Sequence, residues 1–356
     1  MRHSLVDSDI LKLLGSGSIT SHLPLERFVQ PASIDIPIGS TAYLVKQKFL
    51  PFSNDVSYIT ERLTIDTVDL TFGGMLYKGC TYIIPAETLV DLPEDIEGKL
   101  SPKSSIGRID LLVRTVMDHV GLYDTIPAGR KGRLYVEVTP NFNVILHAQD
   151  TLNQLMLFSG EDDSLVTSEH LIFDADGRLL PSTFYSKNKL LLTLDLKRDA
   201  HVGFKGKKTN NVIDLSRRDH EPGDFFEDVW TEYRDHGKLT LEKDRFYILA
   251  TKEFVSVPLS LSSEMIPFSN LIGELRVHYA GFFDPGFGYG EYGEIRGRQG
   301  VLEIRPHEDI TVYDGQPICL MEFYKNTKIP DKGYGFSGNN YHKQEGPQLA
   351  KYFLKE

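Results

Sequence analysis

The chain has 356 residues, 40% apolar and 25% charged, with 30 glycines and 18 prolines, a composition that excludes collagen-like and disordered classes. Its formal charge of −11, from 39 Lys and Arg against 50 Asp and Glu, argues against a general nucleic-acid binder, which needs a basic face to release counterions. Two distant cysteines, Cys80 and Cys319, exclude a disulfide framework and a multi-cysteine zinc site.

The length predicts about two domains. Apolar runs such as 109–113 and 190–192 are far too short to cross a bilayer, and no signal peptide opens the chain, so the expectation is a soluble, cytoplasmic protein with no membrane partner. An acidic chain can still hold a small anion where arginines and backbone N–H groups cluster locally.

In chain order, Asp7-Ser8-Asp9 followed by Ile10, Leu11, Leu13, Leu14 and Gly15 predicts a capped two-turn helix. Short β-branched or aromatic runs bounded by Gly, Pro, Asn and Asp then predict strands at 41–46, 81–85, 133–139, 153–158, 245–250, 300–304 and 317–323. The fold class expected from this spacing is mainly β, a sandwich or barrel with a few short helices.

The elements also recur. Tyr82-Ile83-Ile84 returns as Tyr247-Ile248-Leu249, Asp91-Leu92-Pro93 as Ser256-Val257-Pro258, and Leu155-Met156-Leu157-Phe158 as Leu320-Met321-Glu322-Phe323, all offset by 165. Tyr135-Val136-Glu137 matches Val301-Leu302-Glu303 at 166, and Ser33-Ile34-Asp35-Ile36 matches Thr193-Leu194-Asp195-Leu196 at 160. Five matches in one order predict two tandem copies of one domain, 1–160 and 161–356, joined in the polar stretch 159–164.

Three segments can carry chemistry. In Lys99-Leu100-Ser101-Pro102-Lys103-Ser104-Ser105-Ile106-Gly107-Arg108, two hydroxyls and a guanidinium at the opening of a short helix can converge on phosphate. The same residues also read as an N-cap with a solvated arginine. Glu137 and Glu303 each sit mid-strand; pointing outward they are ordinary surface carboxylates, and pointing inward each is a candidate general base of raised pKa. His278-Tyr279-Ala280-Gly281-Phe282-Phe283-Asp284-Pro285-Gly286-Phe287 reads as a hairpin turn, or as an aromatic cradle for a flat heterocycle. The His-x-Glu with Pro-Cys-x-x-Cys of zinc nucleobase deaminases is missing, as are a phosphate-binding Gly-Lys-Ser/Thr loop and a serine nucleophile elbow. Gly286, Gly288, Gly290 and Gly293 form no dinucleotide fingerprint, since no helix pattern follows them.

Together these segments resemble the dCTP deaminase and dUTPase superfamily, most closely its dCTP deaminase branch. Leu5-Val6-Asp7-Ser8-Asp9-Ile10 and Gln30-Pro31-Ala32-Ser33-Ile34-Asp35-Ile36 resemble the family's opening helix and first strand. Ser104-Ser105-Ile106-Gly107-Arg108-Ile109-Asp110-Leu111 resembles its Ser-Ser-Leu-Ala-Arg-Leu-Gly-Leu motif. Val277-His278 through Asp284-Pro285-Gly286, the Glu303 strand, and the tail Tyr334-Gly335 with Asn340-Tyr341-His342-Lys343-Gln344-Glu345-Gly346 resemble its hairpin, catalytic strand and closing segment.

The resemblance implies two dUTPase-like distorted barrel or jelly-roll domains and deamination of dCTP to dUTP and ammonia without zinc. Glu303 is then the general base, with Ser104 and Arg108 beside it, and Glu137 is its rival. Ser105, Lys103, Ala280 and Asp284 are implied as substrate contacts, together with Gly286, Tyr334, Tyr341 and Gln344. The resemblance also implies Mg²⁺ carried on the triphosphate, a homo-oligomer, and dTTP as an inhibitor. Copy one keeps Ser104, Ser105 and Arg108 but no closing tail; copy two keeps the hairpin, Glu303 and the tail, while its phosphate motif has decayed to Phe268-Ser269-Asn270-Leu271-Ile272. One composite site between the copies is therefore expected. The family's lysine before the tail tyrosine is Asn340 here. Two alternatives stand beside this reading: a dUTP pyrophosphatase or bifunctional enzyme using Asp284 or Asp124, and a nucleotide-binding module without turnover.

Overall fold

All seven predicted strands form, at Thr41–Val45, Thr81–Asp91, Lys131–Pro140, Thr151–Ser159, Tyr247–Val255, Arg298–Ile304 and Pro317–Asn326. The computed structural model describes residues 2–160, 166, 171–181, 184–186, 188–198, 201–231, 237–268, 281–335 and 346–355. The predicted junction thus lies largely outside the described residues, as does the decayed motif beyond Phe268.

The repeat is visible in strand register. In copy one, Thr81–Asp91 pairs antiparallel with Lys131–Pro140 and sets Glu137 opposite Ile83. In copy two, Tyr247–Val255 pairs antiparallel with Arg298–Ile304 and sets Glu303 opposite Ile248. A second pair of ladders repeats likewise: Ile96–Pro102 on Thr151–Ser159, and Leu261–Pro267 on Pro317–Asn326. Because side chains alternate along a strand, equal register sends the two glutamates to the same face of their sheets.

The two copies are one sheet at their seam. The two-residue strand His3–Ser4 pairs antiparallel with Thr151–Ser159 and parallel with Pro317–Asn326, which completes a ten-stranded sheet. Each copy has apolar clusters of its own, and the largest cluster is shared between them. To the shared cluster copy one gives Ile106, Val136 and Phe142, copy two gives Phe226 and Phe246, and the C-terminal stretch gives Tyr352 and Phe353. Phe142 stands edge-on to Phe226 at 5.7 Å between ring centres, and Phe226 edge-on to Phe353 at 5.4 Å. Each such ring, taken out of water, contributes roughly 1.5–3 kcal/mol. The fold is thus mainly β and jelly-roll-like, and among the described residues its sheets are open rather than closed into a barrel.

The helix predicted at the start spans Asp7–Gly15 and buries Ile10 and Leu13, three residues apart on one face. Its expected side-chain cap is not formed: Val6 holds the capping position. The Asp7 carboxylate accepts N–H bonds from Ser8 at 2.7 Å, Asp331 at 3.1 Å and Lys332 at 3.0 Å. Two of those donors belong to copy two, so the side chain ties the start of the helix across the seam. A second helix, Val56–Leu63, has no counterpart in the sequence reading. It packs Val56 against Ile83 and Tyr135, on the sheet face of copy one that carries Glu137.

Candidate active site

At the end of the Ile96–Pro102 strand the chain turns at Lys103 into a single helical turn, Ser104–Gly107. Bonds from Ile106 N and Gly107 N to Lys103 O, at 2.8 and 3.1 Å, fix this turn. Ile106 is wholly buried in the shared core, which pulls the turn against copy two and carries Arg108 inward to 4% exposure. Arg108 is therefore no solvated side chain. Its Nε lies 3.6 Å from Glu303 Oε1, and its Nη1 donates to Gln348 O at 3.2 Å.

Glu303 points inward from the Arg298–Ile304 strand and is 3% exposed. Burial dominates its chemistry and pushes the carboxyl up to about 8, against the opposing pull of Arg108. Around the pair lies a cavity of about 190 Å³. Copy one lines it with Lys103, Ser104, Ser105 and Arg108; copy two with Gly281, Phe282, Phe283, Asp284, Val301 and Glu303. The lining of the cavity is thus drawn from both copies.

Val301 and the Phe282–Phe283 strand, which pairs with Leu261–Pro267, give the cavity an apolar part of its lining. Its charged lining includes Lys103, whose Nζ pairs with Asp35 Oδ2 and also bonds Thr151 Oγ1 at 3.1 Å. Asp35 is pushed up by burial, against the pull of Lys103. Beside them stands Lys351, drawn down to about 8 by burial first and then by the like charges of Lys103 and Arg218. Crowded ammonium and guanidinium groups repel one another until an anion joins them.

Asp284 lines the cavity, accepts a bond from Ala32 N at 3.3 Å, and is pushed up to about 7 chiefly by burial. Tyr334 also lines it, its ring edge-on to Phe287 at 5.5 Å. Gly286 does not line the cavity itself. With φ of +98°, it lets the chain pass so close to Tyr334 that a Cβ there would meet Tyr334 N at 2.9 Å, so it supports the wall from behind. Ala280, Tyr341 and Gln344 lie outside the described residues.

Glu137, equally buried at 2% exposure, does not reach this cavity. Its Oε2 accepts from Tyr123 OH at 3.2 Å, and Lys48 Nζ lies 3.6 Å from Oε1. The face that in copy two meets Arg108 is, in copy one, covered by residues of the 46–63 stretch that carries the second helix. The sequence reading missed Lys351 and Asp35 as site residues. Asp35 carried a signal in its apolar strand Ile34–Pro37, where a buried carboxylate needs a partner. Lys351 carried none, because only the return of the C-terminal stretch brings it here.

A tandem, mainly β fold with a polar, cation-bearing cavity lined by both copies defines the class: a two-domain β protein with a candidate anion-binding site at the seam. The family model for the N-terminal domain of 2′-deoxycytidine 5′-triphosphate deaminase matches residues 3–161, and that for the C-terminal domain matches residues 161–353. A crystal structure of 2′-deoxycytidine 5′-triphosphate deaminase from Agrobacterium tumefaciens is similar at 33% identity, over 93% of this chain and 99% of that one, with a TM-score of 0.82. The EIAV dUTPase aligns with 29% of this chain and 81% of its own at 22% identity, and its TM-score of 0.22 carries no argument. The chain belongs to the 2′-deoxycytidine 5′-triphosphate deaminase family, in its two-domain form.

Proposed function

We propose that the cavity between the copies is the site of hydrolytic deamination of dCTP to dUTP and ammonia, with Glu303 as general base. The observation that carries this is a deeply buried carboxyl from copy two set 3.6 Å from an equally buried guanidinium of copy one. Glu303 in its carboxylate form takes a proton from water as the oxygen attacks C4 of cytosine. The resulting carboxylic acid then returns a proton to the leaving amine, so one residue serves as base and acid in turn. Ser104 and Arg108 orient that water, and Arg108 favours the ionised form of Glu303 that the first step needs. Phe282 and Phe283 give the pyrimidine an apolar wall, and Asp284 lies beside them as a polar contact.

Lys103, Lys351 and Ser105 receive the triphosphate. Lys351 supplies the ammonium that the tail lacks at Asn340. Among the described residues no three His, Cys, Asp or Glu side chains converge as a metal nest. The donors at the phosphate end are cationic and suit phosphate oxygens, so Mg²⁺ would ride on the nucleotide and shield its charge. dTTP, which shares the sugar and triphosphate, is expected to compete for the same cavity, and a homo-oligomer is proposed for the intact protein. Among the described residues no helix is long and apolar enough to cross a membrane.

The test is product analysis with dCTP and Mg²⁺, run on wild type, Glu303→Gln and Glu137→Gln. Release of ammonia with dUTP, abolished only in Glu303→Gln, supports the composite site. Formation of dUMP and pyrophosphate replaces it with the pyrophosphatase or bifunctional reading. Loss only in Glu137→Gln moves the chemistry to copy one, and binding without turnover leaves a binding module.

A further inference from the structure

The two segments that carry Arg108 and Glu303 are tied together a second time, two residues further along each. Arg305 Nη2 donates to Asp110 Oδ2, and Arg305 Nη1 donates to Asp244 O. Asp110 is 1% exposed, and its other carboxylate oxygen accepts from Asn141 Nδ2 at 3.1 Å. The first link runs from an arginine of copy one to a carboxylate of copy two; the second runs from a carboxylate of copy one to an arginine of copy two. Neither Asp110 nor Arg305 lines the active cavity. Both face a separate one of about 260 Å³, with Phe142 and Lys207.

Asp110 also sits in a backbone conformation that favours glycine, with φ of +54°. An aspartate there is tolerated at some conformational cost, and a charge buried to this depth adds desolvation cost. Buried ion pairs of this kind contribute little to net stability, and their attested use is to fix registration between packed parts. Here the parts are the two halves of the active site.

We infer that the Asp110–Arg305 pair is a registration lock, a positioning element that holds Arg108 against Glu303 across the seam between the copies. It acts only through those two residues, and it rests on the proposed role of Glu303. Without the lock the Ile106–Asp110 turn keeps its apolar anchors but gains freedom along the seam. The Arg108–Glu303 separation then varies, while the phosphate end at Lys103 and Lys351 is unchanged.

Asp110→Gly is the informative variant, because glycine relieves the positive φ while deleting the carboxylate. The expected result is a kcat for dCTP reduced about tenfold, KM within threefold of wild type, and a melting temperature within a few degrees of it. Arg305→Met should lose kcat to a similar extent, and Arg305→Lys, which keeps the charge, should recover part of it. A kcat for Asp110→Gly equal to that of wild type overturns the lock. So does a loss of kcat that tracks a loss of stability across the three variants, since that marks a merely structural pair. Failure of the wild type to deaminate dCTP overturns the underlying role of Glu303 and the lock with it. A wild type that turns over dCTP, with Glu303→Gln inactive and Asp110→Gly fully active, overturns the lock alone.

Discussion

Replacing Glu303 with glutamine should abolish turnover and at the same time stabilise the protein, by an amount that grows with pH. In the folded chain this carboxyl holds its proton from its ordinary 4.5 up to about 8, because burial opposes its ionisation. In the unfolded chain it releases that proton near its ordinary value. Between those two points the native state binds the extra proton, so wild-type stability falls as pH rises through the window. Each pH unit crossed costs about 1.4 kcal/mol, which gives an upper bound of about 5 kcal/mol by pH 8. Glutamine has nearly the same shape and never ionises. At pH 4.5 the wild-type carboxyl is already neutral beside Arg108, so the two proteins should melt together. At pH 8.5 the variant should melt several degrees higher, since each kcal/mol moves the midpoint of a chain this size by roughly 1–2 °C. The assay is thermal melting by calorimetry or circular dichroism from pH 4.5 to 8.5, with dCTP turnover measured in parallel. A difference in melting temperature that stays constant with pH, or that favours wild type at high pH, would refute the claim that Glu303 is held neutral by burial.

The pH dependence of kcat/KM should be bell-shaped with its maximum near pH 8. The rising limb marks ionisation of Glu303 and the falling limb deprotonation of Lys351, both near 8, and a profile flat from pH 6 to 9 would remove both assignments. Lys351→Met should raise KM for dCTP about tenfold with kcat within threefold, a charge-assisted contact being worth about 1.5–3 kcal/mol. Measured on dCTP, dCDP and dCMP, the loss should shrink as phosphates are removed; an equal loss on all three places Lys351 elsewhere. Glu137→Gln should leave kcat within twofold of wild type, because Tyr123 and Lys48 hold that carboxylate outside the cavity, and steady-state assay of dCTP turnover checks it.

Repetition and motif spacing were open to inspection in the chain itself. Offsets of 165 and 166 were enough to set Glu137 and Glu303 at matching ladder positions, since register follows the apolar pattern of a strand. The split of retained motifs also pointed to Ser104 and Arg108 of one copy and Glu303 of the other, which line the same cavity. The cap on the first helix was misjudged because Asp7 found two donors more than 320 positions away, at Asp331 and Lys332, which no local reading includes.

What the chain by itself determined is the local material: β-forming runs, the doubling, and the side chains able to hold phosphate or move a proton. Those are properties of short segments, set by periodicity and residue chemistry. Only the tertiary structure decided which of two equivalent glutamates lines the cavity between the copies. Alternation leaves each free to face either way, and both turned inward; the difference lies in what covers them. Copy one's carboxylate is met by Lys48 and Tyr123 of its own chain segment, and copy two's by Arg108 from the other copy. The same long-range docking brings Lys351 beside Lys103 and Arg305 onto Asp110, because burial of Tyr352 and Phe353 in the shared core draws distant segments to one seam. A pKa near 8 follows from that enclosure, and no residue spacing encodes it.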